Sequence, residues 1–156
     1  MFVEYEVILQ RPFPEAGRRL LAGIEGWEDL GSAAYRRGEE VRSRVGPLRP
    51  LAKEVIVSVG RPDLSRHRLS LPVTWRATGA ESLFPRLDGQ LEMSVMTDES
   101  SRLRLLASYR PPLGTVGGIV DRVLLAGLAR ATLVDWVNRV AASIDEEEQV
   151  VTPDRA

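Results

Sequence analysis

The chain contains no cysteine. Disulfides, thiolate zinc sites, iron–sulfur clusters and cysteine nucleophiles are therefore excluded. It has a single histidine, His67. One chain cannot build a multi-histidine metal centre from that, and a serine–histidine hydrolase would need His67 without a G-x-S-x-G elbow to present the serine. Lysine is almost missing as well: Lys53 stands alone, which leaves Schiff-base chemistry one candidate. Apolar runs are short. None approaches the ~20 residues that span a bilayer, and Asp121 and Arg122 interrupt the longest. The first ten residues alternate acidic and apolar side chains, unlike a secretory signal. Neither sign of charge is in excess: 21 Lys plus Arg face 22 Asp plus Glu, a net charge of −1. That gives no general attraction to nucleic acid or to an anionic membrane. The expectation is a cytoplasmic protein, monomeric or homodimeric, with no metal, cofactor, nucleic-acid partner or membrane span.

What is present is pattern. Residues 2–10 read as a strand with Val3, Tyr5, Val7 and Leu9 on one face and Glu4 and Glu6 on the other. Pro14 suits the first turn of a helix, where its missing N–H costs nothing. Residues 15–22 then form a short helix, which Gly23 and Gly26 interrupt, and a second short helix covers residues 27–36. From Val41 the period falls to two. Apolar side chains alternate with polar ones over residues 41–45, 55–59, 69–77, 87–95 and 103–109, and Gly-Pro and Gly-Arg-Pro-Asp segments at 46–47 and 60–63 make turns. Pro72 inside the third of these runs predicts an edge position or a bulge. Short links favour antiparallel pairing, and one apolar face per strand suits a sheet covered on one side.

After the corner at residues 111–114 the period returns to 3.6. No proline occurs over residues 116–146. Ile119, Val123, Ala126, Leu133, Val137, Val140, Ala141 and Ile144 cluster on one side of the helical projection, with Asp121, Thr132, Asp135, Arg139 and Ser143 opposite. This predicts one amphipathic helix of roughly 30 residues, ~45 Å long. The acidic run at residues 145–148 ends it and opposes its dipole, so fraying is expected there. A one-faced sheet needs a cover, and this helix carries the only large apolar stripe. The expected fold is α+β: a curved antiparallel sheet of about six strands wrapped around the long C-terminal helix, with two short helices between strands 1 and 2. One domain spans residues 1–148, followed by a polar tail over 149–156.

That element order resembles the helix-grip fold of the START-like, or SRPBCC, superfamily, which includes polyketide cyclase/dehydrase-like proteins and many carriers of lipophilic ligands. The local match is LFPRLDGQLEM at residues 83–93, then YRPPLGTVGGIVD at residues 109–121. The second segment looks like the strand-to-helix junction of a bacterial SRPBCC subgroup. The resemblance implies a cavity between sheet and C-terminal helix, and it brings no catalytic motif to this chain.

Several residues are candidates for that cavity. Gly114, Gly117 and Gly118 lack the Lys-Ser/Thr pair of a phosphate loop, and they read as a tight corner. Arg130 projects within the apolar stripe near Val123, Ala126, Leu133 and Val137. A buried guanidinium needs a partner. It either anchors a carboxylate or phenolate of an apolar ligand or snorkels outward. Trp75, Leu91, Met93 and Tyr109 share the inward face of the sheet, where they line a pocket or simply fill the core. Trp136 sits at the edge of the helical stripe. His67 and the acids Glu25, Glu28 and Asp29 are surface groups unless they reach the cavity mouth.

Three functions fit. The first is a carrier or sensor that binds a small lipophilic molecule, acidic if Arg130 anchors it. The second is a cofactor-independent aromatase/cyclase-type enzyme acting on a polyketide-like chain. The third is an interaction module with a filled core. No acid/base pair is evident on the cavity side, which favours the first over catalysis.

Overall fold

The computed structural model describes residues 2–26, 55–77, 86–110 and 119–146. The elements are β1 (Phe2–Leu9), α1 (Phe13–Ala22), a 3-10 turn (Gly23–Gly26), β2 (Val55–Val59), β3 (Asp63–Leu64), β4 (Arg68–Ala77), β5 (Arg86–Val95), β6 (Ser101–Arg110) and α2 (Ile119–Asp145). The expected strand at 41–45, the second short helix at 27–36 and the glycine corner at 114–118 lie outside the described residues. The strands form one curved antiparallel sheet in the order β1-β6-β5-β4-β2, with β3 pairing β4. With its C-terminal helix it is the expected α+β, helix-grip arrangement.

The period-two pattern fixes the register, because a one-residue slip would turn every apolar side chain outward. Rows of inward residues therefore run across the sheet. Leu71 of β4 faces Leu91 of β5, which faces Leu105 of β6. The next row pairs Leu69, Met93 and Leu103 in the same way. On α2, Leu133, Trp136, Val137, Val140, Ala141 and Ile144 are buried and belong to the same core cluster as these rows. Tyr5 ties the β1 edge to that helix, its hydroxyl donating to Asn138 Oδ1 at 3.0 Å. α1 buries Phe13, Ala16, Gly17 and Leu20.

Two details concern the turn at residues 60–63. Asp63, expected as its last residue, instead begins β3 with Leu64. Pro72 does not mark a sheet edge, since β4 has neighbours on both sides, but it does mark the expected bulge: between the Val59–Val73 and Asp63–Ser70 pairings, three residues (60–62) lie opposite two, Leu71 and Pro72. Its carbonyl accepts from Gly60 N–H at 2.7 Å. Its ring nitrogen faces the same side, in the gap between β2, which ends opposite Val73, and β3, which begins opposite Ser70. The proline thus withholds a donor where the neighbouring chain offers no ladder acceptor.

Thr132, expected on the solvent side of the helix, is buried. The acidic carboxyl end of α2 is met by cations from elsewhere. Arg11 donates to the Asp145 carbonyl at 2.8 Å and Arg19 to the Ile144 carbonyl at 3.3 Å and to that of Glu146. Glu15 holds both guanidinium groups, at 2.7 Å from Arg11 and 3.2 Å from Arg19. The last carbonyls, which no further turn satisfies, are capped by two arginines, one from the last turn of α1 and one from the link before that helix.

Candidate functional site

Burial of the concave face is graded along the strands. At the α1 end and in the middle, Leu91 and Met93 are 0% exposed, as are their row partners. The last complete row at the other end comprises Val57, Trp75, Leu87 and Tyr109, neighbours in register on β2, β4, β5 and β6. Here Trp75 and Tyr109 retain 6% and 8% exposure. The Trp75 ring meets the fully buried Trp136 ring of α2 at 6.0 Å between centroids, with the planes tilted by 50°, within the range that favours aromatic pairs.

α2 is graded in the same sense. Its buried described side chains all lie from Thr132 onward, while Gly127, Arg130 and Ala131 are exposed. Among the described residues, a Cβ added at Gly127 would have no neighbour within 4 Å. The carboxyl-terminal half of the helix packs on the sheet, and Gly127 and Ala131 just before it are exposed.

Of the residues selected from sequence, Trp75, Leu91, Met93, Tyr109 and Leu133 are all buried. Trp75, Leu91, Met93 and Leu133 join one hydrophobic cluster. Leu91 and Met93 are core side chains remote from the more open row. Arg130 takes the second of its two expected positions: it is exposed rather than set in the buried stripe. The stripe that packs begins two residues later, so the projection centred on residues 119–144 pointed it inward wrongly. The side chains of Val123, Ala126 and Glu25, and residues 28 and 29, lie outside the description. His67 is exposed between β3 and β4, where its carbonyl accepts from Val95 N–H at 3.1 Å. Among the described residues no group of three or more His, Asp or Glu is placed to hold a metal ion.

Trp136 is the residue that sequence reasoning placed only at an edge. Its signal was present, because Leu133, Trp136, Val137 and Val140 follow the i, i+3, i+4, i+7 spacing of a packed face.

No family model and no curated protein matches the chain. Solved structures do. A conserved protein from Geobacillus kaustophilus superposes with a TM-score of 0.52 at 13% identity, covering 92% of this chain and 95% of that one. The Zhui aromatase/cyclase from Streptomyces sp. R1128 superposes with a TM-score of 0.51 at 12% identity, covering 93% of each chain. At such identities the likeness establishes a shared fold. No helix among the described residues is long and apolar enough to cross a membrane.

Proposed function

We propose that the protein binds a small lipophilic molecule at the Trp75–Tyr109 end of its core, between the sheet and the amino-terminal half of α2, as a carrier or sensor. The carrying observation is that the row of Trp75 and Tyr109 meets α2 through Trp136, close to where the helix passes from buried side chains, from Thr132 onward, to the exposed Gly127, Arg130 and Ala131. Affinity comes from apolar burial at roughly 25 cal/mol per Å², with Trp75 as the platform and the Tyr109 hydroxyl as the orienting group. Arg130, being exposed, acts as a rim group that meets an acidic head from outside. Native mass spectrometry of the purified chain, followed by extraction, tests the reading; a bound apolar mass is expected. Titration with the apolar dye ANS should saturate, and Trp75→Ala should weaken it about tenfold. A chain that carries no mass and binds no dye would leave the filled-core reading in its place. Arg130→Ala should weaken acidic ligands and spare neutral ones.

A second reading is cyclase-type catalysis, supported by the fold shared with the Streptomyces aromatase/cyclase. Turnover of an aromatic polyketide precursor would support it, and inert substrate would remove it.

A further inference from the structure

β1 stands at one end of the sheet and, among the described residues, pairs with β6 alone. Its other edge offers backbone N–H and C=O groups to no described strand. Proteins commonly blunt such an edge with lysine, proline, a bulge or a very short strand. β1 has none of these. It runs eight residues, FVEYEVIL, in unbroken register against Ser101–Ser108. Two apolar side chains of its convex face lie open: Phe2 is 66% exposed and Ile8 38%. The acids between them are served from within the subunit. Glu4 accepts from Arg104 Nε at 3.0 Å, which raises the pKa of that guanidinium, and Arg102 Nε lies 3.9 Å from Glu6.

The order of these residues is nearly palindromic about Tyr5. Phe2 balances Ile8, Val3 balances Val7 and Glu4 balances Glu6. We infer that β1 is the contact strand of a homodimer, pairing antiparallel through its free edge with β1 of a second copy about a two-fold axis at Tyr5. The property is separate from the ligand reading above. A two-fold interface needs a self-complementary strip, and a strand that reads alike in both directions supplies one. Under that axis Phe2 of each copy faces Ile8 of the other, so the two exposed apolar side chains cover each other twice, as cross-strand neighbours do. Glu4 of each copy faces Glu6 of the other. That opposition of like charge is offset because Arg102 and Arg104 of each subunit match the acids one for one. An unrelated strand would satisfy the backbone edge equally; the palindrome is what selects a second copy.

The test uses the full chain in sedimentation equilibrium. The strip is one strand wide, so the dimer should be weak, dissociating at about 1–100 µM. Phe2→Glu and Ile8→Lys, both at exposed positions, should each weaken it about tenfold or more. Mixed together, the two variants should re-associate to within about threefold of the parent affinity. One contact then joins the introduced carboxylate to the introduced ammonium, and the other remains Phe2 against Ile8. Because the chain contains no cysteine, Tyr5→Cys places a single thiol at the axis. It should oxidise to a covalent dimer about tenfold faster than Leu64→Cys, an exposed site on β3. This readout stands if a charge variant folds poorly. A chain that stays monomeric at about 300 µM, a dimer that neither charge variant weakens, a mixture that fails to re-associate, or equal cross-linking at the two cysteines would each overturn the assignment.

Discussion

Two glycines make opposite predictions at the scale of single residues. Gly89 lies on the inner face of β5 opposite Ala107. A Cβ there would stand 2.8 Å from the Leu106 carbonyl oxygen and 2.9 Å from the Ala107 Cβ. Backbone cannot retreat cheaply, so Gly89→Ala should destabilise by about 1–3 kcal/mol in urea denaturation. Gly17 is buried in α1, yet its added Cβ would meet only Leu69 Cδ2 at 3.9 Å, an ordinary contact. Gly17→Ala should raise stability by roughly 0.5–1 kcal/mol through helix propensity. The arginine caps give a third case. Arg11→Ala strips a carbonyl of its partner and Glu15 of one cation, and should cost about 1–3 kcal/mol in the same assay. None of these effects was legible in sequence. Gly89 reads as one more apolar position of a strand, and Arg11 and Asp145 meet across 134 residues of chain.

Elements were more legible, because each repeats its signal. The strands at residues 68–77 and 86–95 were read within a residue of their bounds, since alternation over ten positions admits one face only. α2 was read as one rod, and it is one. What the projection lost was which part of the rod carries the load. Averaging over the whole length turned Arg130 inward and left Trp136 at the margin, whereas residues 132–144 alone give the packed face. Trp136→Ala should therefore be among the costliest changes, about 3–5 kcal/mol, and should also abolish the aromatic signal of the Trp75 pair in near-ultraviolet circular dichroism. A small loss there would contradict the central place given to this ring. Pro72 teaches the complementary lesson: composition announced an irregularity correctly, but its kind depended on where the neighbouring strand breaks.

At the scale of the whole molecule, the sheet and helix share one buried core, in which Trp75 and Tyr109, at 6% and 8%, are among the less deeply buried side chains. Amide hydrogen exchange should report this directly. Protection is expected to be greatest around Leu91 and Leu105, on strands flanked on both sides, and to decline toward Trp75 and Tyr109. Uniform protection along these strands would argue for a closed interior with no room for a guest. The architecture was readable because a one-faced sheet and a one-striped helix leave few ways to hide both surfaces. The candidate site was less so, since the choice between a lined hollow and solid packing depends on ångström-scale fit that residue types do not encode.

The bolting of α2 at its carboxyl end has a mechanical corollary. With Arg11 and Arg19 gripping the last carbonyls and Trp136 seated as a fulcrum, about 25 Å of rod extends from that ring back to Ile119. A tilt of roughly five degrees about the pivot would carry the first turn through about 2 Å, more than the width of a methyl group's clearance in a packed interior. For the proposed guest site, the gap would then be governed by one angle, and a substitution at the bolts would alter what fits some 30 Å away without touching it.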